Sequence, residues 1–304
     1  MTTPIDLTPA VSGERRETRR RAGRLSYYVA GEGAPLLLIH SINAAASAYE
    51  MRPVHERMKA TRRVYSVDLP GFGFSDRSDR TYDIRLYTNA VLDMVDVIRE
   101  AHGPRAIDAL ALSLSCEFLA RAAREAPDAF ASLGFVTPTG FAKGAHRKRG
   151  APESSMQIPG MARFLNAPWG KGLYRLLTSE TSIRYFLQRT FGRKDVPEEL
   201  VAYDWRSARQ PGAERAPFAF LSGRLFARDV RDLYEDLHLP VYVLHGTKGD
   251  FKDFSEANWA IARKNWLFSA FDTGALVHWE KPEEFIGAYE RFLAESAGIR
   301  AAAS

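Results

Sequence analysis

The run Ile107-Asp108-Ala109-Leu110-Ala111-Leu112-Ser113-Leu114-Ser115-Cys116-Glu117-Phe118-Leu119-Ala120 changes its period in the middle. Ile107 to Leu112 is a short apolar run of the kind that forms a strand buried on both faces. Cys116, Leu119, Ala120 and Ala123 then recur at helical spacing until Pro127. Ser113 lies at the junction, which predicts a serine on a sharp strand-to-helix turn with a helix N-terminus and the next backbone N–H beside it. Only small residues fit two before and two after such a serine, and Ala111 and Ser115 are small.

The same alternation extends on both sides. Leu25 to Val29, Pro35 to Ile39, Val64 to Val67 and Leu133 to Val136 read as strands, and Tyr87, Ala90, Val91, Met94, Val95 and Ile98 form a helical stripe that Gly103 stops. The order breaks between about Phe141 and Leu237, a stretch of irregular helical period rich in aromatics, including Phe164, Trp169, Tyr174, Tyr185, Phe186, Phe191, Trp205, Phe218 and Phe220. Strands at Pro240 to Leu244 and Leu267 to Phe271 and a helix from about Pro282 to Ala297 complete the pattern. The expectation is an α/β fold, a mostly parallel central sheet with helices on both faces and its site at the carboxyl ends of the strands. Residues 25–140 and 236–304 form the core, 141–235 an inserted helical cap, and 1–24 a flexible basic arm.

The chain has 304 residues, 45% hydrophobic and 26% charged, which excludes a disordered or fibrous protein. Its single cysteine, Cys116, excludes an internal disulfide and any thiolate metal cluster, and its place on the apolar helix face marks it as a core residue. The net charge of +5 owes much to Arg15, Arg16, Arg19, Arg20, Arg21 and Arg24, read as a solvated segment. There is no zinc-finger spacing, RNP-type aromatic motif or Gly-rich phosphate loop, so no nucleic acid is expected. The longest aliphatic runs are far short of the ~20 residues that span a bilayer, and the N-terminus has no apolar signal core. A cytoplasmic protein without a membrane partner is the expectation.

Three further motifs accompany the serine. His40-Ser41-Ile42-Asn43 ends the strand at Pro35 to Ile39, Asp68-Leu69-Pro70-Gly71-Phe72-Gly73-Phe74-Ser75 follows the next, and His245-Gly246-Thr247-Lys248-Gly249-Asp250 comes late. In this order they resemble the α/β-hydrolase superfamily, specifically its small capped single-chain serine hydrolases. The resemblance covers about residues 25 to 140 and 236 to 297.

It implies a Ser, Asp, His triad in that chain order and an acyl-enzyme mechanism. Ser113 matches the nucleophile, where related dehalogenases and epoxide hydrolases carry aspartate. Asp250 matches the acid, one residue later than usual, with Asp253 behind it. The backbone N–H groups of Leu114 and Ile42 match the oxyanion hole. At the usual place of the histidine stands Gly274-Ala275, with Glu280 at the matching distance, and His278 three positions on is the candidate base if the loop between Thr273 and His278 is rebuilt. His245 is the outsider, His40 organises its own loop, and His55, His102, His146 and His238 read as surface or packing residues.

Three functions compete. The first is hydrolysis of a small ester, thioester or lactone with an apolar acyl group, which implies no cofactor and no metal. The second is carbon–carbon hydrolysis of a vinylogous diketone, with Arg184, Arg189 or Arg209 holding a substrate carboxylate. The third, motivated by Ala275, is ligand binding without turnover.

Overall fold

The computed structural model describes residues 5–144 and 150–303. Strands β1 (Glu14–Arg20), β2 (Gly23–Ala30), β3 (Pro35–Ile39), β4 (Arg63–Asp68), β5 (Ile107–Leu112), β6 (Phe130–Val136), β7 (Val241–Gly246) and β8 (Trp266–Phe271) make one sheet, ordered β1-β2-β4-β3-β5-β6-β7-β8. All neighbours from β4 to β8 pair in parallel, while β1 and β2 are antiparallel at one edge.

The central strands are apolar at every position because both faces are covered. Leu37 and Ile39 of β3 and Ala109 and Ala111 of β5 enter one core; Leu36, Leu38, Leu110 and Leu112 enter the other. Helices α1 (Arg52–Met58), α2 (Ile84–His102) and α3 (Ser115–Glu125) alternate with the strands. The insertion after β6 carries α4 (Met161–Leu165), α5 (Gly170–Leu177), α6 (Glu180–Phe191), α7 (Glu198–Ala208), α8 (Arg215–Leu221) and α9 (Val230–Glu235). The chain closes with α10 (Asn258–Ile261), α11 (Val277–Glu280) and α12 (Pro282–Ala303). The α2 stripe packs with α3 in the first core, and α12 covers the second. Asp83 caps α2 by accepting the Leu86 N–H at 2.9 Å, and Gly103 ends it at φ +81°.

Two boundaries differ from the sequence expectation. The arm expected over 1–24 is from Glu14 an edge strand, and Leu7, Ala10 and Val11 are buried beneath Tyr28 and its neighbours. Five of its arginines are held in ion pairs, Arg16 to Glu14, Arg15 and Arg24 to Glu17, Arg20 to Glu100 and Arg21 to Asp93 and Asp96. A strand charged along its length resists pairing with another chain, which is why it reads as a solvated tract. The other boundary concerns the cap. Phe141 is buried against Tyr234, Trp259 and Trp266, and Val230, Leu233 and Tyr234 of α9 join the same core as α3, so both ends of the insertion pack with the core. His146 lies outside the described residues.

Candidate active site

At the end of β5 the backbone of Ser113 adopts φ +57°, a left-handed conformation costing a non-glycine residue about 1–3 kcal/mol. Its N–H donates to the Val136 carbonyl at 2.9 Å and its carbonyl accepts the Cys116 N–H at 3.1 Å, so the turn is locked to β6 behind and α3 ahead. The Ser115 hydroxyl donates to the His40 carbonyl at 2.6 Å, tying the turn to the end of β3. Ser113 lines a cavity of about 150 Å³ with Ile42, Leu114, Leu187, Phe220, Phe226 and Phe251. Among the described residues neither the Leu114 nor the Ile42 N–H donates to a protein acceptor, so both donors are free for a ligand oxygen.

The loop after β8 supplies Ala275 and Leu276 to the same cavity, and His278 is absent from its lining. The His278 ring is 1% exposed, packs on Phe285, and its Nε2 donates to the Glu50 carbonyl at 2.8 Å, where the Trp279 indole N–H also donates. Its Nδ1 has no partner, and burial lowers its pKa to about 4, so the ring is neutral. The rebuilt loop expected from the sequence is not found. The Gly274 N–H donates to Glu280, the Ala275 N–H to the Thr190 carbonyl at 2.9 Å, and the Thr137 hydroxyl to the Ala275 carbonyl at 2.8 Å. Gly274 also runs so close to the α6 end that a Cβ there would meet the Thr190 carbonyl at 2.3 Å. These bonds hold the chain with His278 turned to Glu50.

Asp250 is likewise apart from the imidazole. Its carboxylate is 42% exposed and paired with Arg189, and it lines a second cavity of about 260 Å³. Asp253 accepts the Lys143 and Ser255 N–H groups, which lower its pKa to about 2. The structure therefore brings Ser113, Leu114 and Ile42 together and leaves Asp250 and His278 outside that group. Of the cap arginines weighed for a substrate carboxylate, Arg184 is paired with Glu198, Arg189 with Asp250, and Arg209 donates to Thr178.

Four other histidines have structural partners. His40 accepts the Leu69 N–H through Nε2, so Nδ1 carries the proton and donates to the Ser41 carbonyl; burial lowers its pKa to about 3. His55 sits between Ser66 and the Ser12 carbonyl, His102 bonds the Tyr65 hydroxyl, His245 stacks on Phe254, and His238 is exposed. Cys116 is buried, its thiol on the Ala111 carbonyl, and desolvation pushes its pKa well up.

Sequence reasoning missed two buried carboxyls. Glu50 sits in the turn Ala48–Met51 and lines the Ser113 cavity. Its Oε2 accepts the Ser41 N–H at 2.8 Å, and its Oε1 accepts the Ser41 hydroxyl at 3.0 Å and the Asn43 amide at 2.6 Å. Burial outweighs these donors and raises its pKa to about 7. Asp204 of α7 lines the second cavity with Oδ1 unpartnered, and burial, reinforced by the Glu50 charge, raises its pKa well above the carboxylate range. The signal for Glu50 was its place as the lone charge in the small and apolar stretch Ala44 to Met51.

Among the described residues there is no cluster of three His, Cys, Asp or Glu groups suited to a metal, and no helix is long and apolar enough to cross a membrane.

The family model described as the alpha/beta hydrolase family matches residues 36–288. No curated protein matches the sequence. A serine hydrolase involved in carbazole degradation shares the fold at TM-score 0.74, with 14% identity over 93% of this chain and 99% of that one. An epoxide hydrolase matches at 0.71, with 22% identity over 93% and 99%. A meta-cleavage product hydrolase from Pseudomonas fluorescens matches at 0.69, with 16% identity over 92% and 98%.

Proposed function

Because the chain belongs to the alpha/beta hydrolase family, we propose that it hydrolyses a small ester, thioester or lactone through an acyl-enzyme on Ser113. One observation carries this reading: a serine held at φ +57° on the strand-to-helix turn, opening into an apolar cavity beside two unused backbone N–H groups. Ser113 Oγ attacks the carbonyl carbon, and the Leu114 and Ile42 N–H groups hold the oxygen as it gains charge, supported by the N-terminus of α3. Water then releases the acid.

The cavity volume, about five waters' worth, suits a short acyl group, and the second cavity shares Asn43, Leu187, Thr190, Phe220 and Phe251 with it, which gives an apolar continuation for a longer one. Uncharged acyl groups are favoured because Arg184, Arg189 and Arg209 already have protein partners, so the carbon–carbon reading, which wants a free arginine, is the weaker.

The test is a chain-length series of p-nitrophenyl acyl esters together with intact-mass detection of a fluorophosphonate adduct. A single adduct and turnover that both disappear in Ser113→Ala, by about 10³-fold or more, support the proposal. Turnover that persists in Ser113→Ala overturns it.

Ala275 and the outward-turned His278 favour a second reading, ligand binding without turnover. A wild type that takes no adduct and releases no product, yet melts at higher temperature with a short-chain acyl amide, would replace the first reading with this one.

A further inference from the structure

The described residues lining the Ser113 cavity include one ionisable side chain, Glu50. The remaining polar groups are hydroxyls and an amide, Ser41, Asn43, Thr137, Thr139 and Thr190, none of which accepts a proton at neutral pH. Glu50 is also held with care. Its N–H donates to the Ser47 carbonyl, Asp68 accepts the Ala48 N–H at 2.9 Å, and the Glu50 carbonyl accepts from both His278 and Trp279. The backbone is thus anchored from behind, with the carboxyl turned to the loop that carries the Ile42 N–H.

We propose that Glu50 is the general base and acid for Ser113, in place of the imidazole that Ala275 cannot supply, and that His278 is a positioning residue acting through the Glu50 backbone. The inference rests on Ser113 being the nucleophile. As the Ser113 Oγ–carbon bond forms, the hydroxyl proton passes through one water in the cavity that both side chains line to the Glu50 carboxylate, and the carbonyl pair moves onto oxygen. Collapse breaks the bond to the leaving group, which departs with the proton from Glu50. A water then attacks the acyl carbon and gives its proton to Glu50, and the Ser113 ester bond breaks as that proton returns to Oγ. One water is consumed and Glu50 ends ionised as it began.

A base works best with a pKa close to the working pH, and burial places Glu50 at about 7. Other titratable groups around it include Tyr49 in the same turn, Asp204 on α7, Asp68 at the end of β4 and the His278 ring. Burial raises the pKa values of both aspartates, and it lowers that of the imidazole to about 4, so the ring is neutral and supplies no positive charge to stabilise the Glu50 carboxylate.

The experiment is the rate of fluorophosphonate labelling of Ser113 from pH 4.5 to 9. Glu50 predicts a rate that rises with pH and is half-maximal near 7, because only the carboxylate accepts the proton. Glu50→Gln should lower the rate about 10²-fold or more, and Glu50→Asp should label slowly but keep a pH limb. His278→Gln, whose amide N–H can still reach the Glu50 carbonyl, should keep the midpoint near 7, and His278→Ala should label more slowly. A rate already on its plateau at pH 4.5 and lost in His278→Gln assigns the proton to the imidazole and overturns the proposal. Labelling unchanged in Glu50→Gln also overturns it while leaving Ser113 as nucleophile. No labelling of the wild type at any pH removes the nucleophile and this inference with it. If Glu50→Gln does not fold, the wild-type profile and Glu50→Asp decide.

Discussion

The turn after β5 and the loop after β8 border the same cavity, and they have treated their functional side chains in opposite ways. The first holds Ser113 in a strained conformation with its side chain on the cavity and its backbone bonded to β6 and α3. The second is just as firmly bonded, to Glu280, Thr190 and Thr137, but the bonds present Ala275 to the cavity and leave the imidazole on a buried carbonyl. Both segments are rigid, so rigidity alone does not make a site. What matters is which atom the rigid frame points inward. A histidine present in the right part of the chain is not a base when its donor nitrogen is spent on a carbonyl and its other nitrogen is buried.

The comparison can be strained most severely from the Ser113 side. α3 is pinned by the ion pair of Arg121, 1% exposed, with Asp229, 2% exposed, at 2.6 Å. Arg121→Ala leaves that buried carboxylate with only the longer 3.9 Å pair to Arg124, and urea denaturation should show a loss of about 3 kcal/mol or more. An unchanged midpoint would mean that packing alone holds the helix.

His278 offers the next largest effect. Its pKa falls from 6.5 in the unfolded chain to about 4 in the fold, so its neutral form contributes stability that is intact above pH 6.5 and is lost as pH falls toward 4. The full shift corresponds to roughly 3 kcal/mol. The stability of the wild type relative to His278→Gln, from urea melts at pH 7.5 and 4.5, should therefore drop by about that amount. Glu50, raised to about 7, works in the opposite direction, its protonated form contributing stability that is lost as pH rises from 4.5 through 7, and comparison with the variant cancels it.

The smallest effect tests the loop itself. Thr137→Val removes one of its tethers, at a cost of about 1 kcal/mol, and hydrogen exchange at the Ala275 amide should quicken. Exchange at the wild-type rate would show that the Thr190 bond alone fixes the loop.

The sheet was legible because a strand buried on both faces must be apolar throughout, as Leu36 to Ile39 and Ile107 to Leu112 are. β1 was not, since Glu14 to Arg20 carries alternating charges that an exposed edge strand and a solvated tail share. Ser113 was legible from its neighbours, because the turn dictates small residues around it. Glu50 was hidden for the opposite reason. Its small and apolar neighbours hint at burial, but the groups that hold it, Ser41, Asn43 and the distant His278 and Trp279, follow no spacing the sequence displays. The misplacement of His278 and Asp250 has the same origin. Spacing along the chain located their loops, while the hydrogen bonds to Thr190 and Arg189 that orient those loops come from the cap, whose sequence carries no motif.

The last turn of α6 binds two core loops at once, Arg189 accepting the Asp250 N–H and Thr190 the Ala275 N–H, with Phe191 buried against them. Among the described residues, α4 and α5 reach the core side of the cavity through one hydrogen bond, from Tyr174 to the Ala44 carbonyl. The α6 end is therefore the post on which the loops carrying Asp250 and Ala275 are both hung, so that a change in the cap sequence at Arg189 or Thr190 reaches two core loops together.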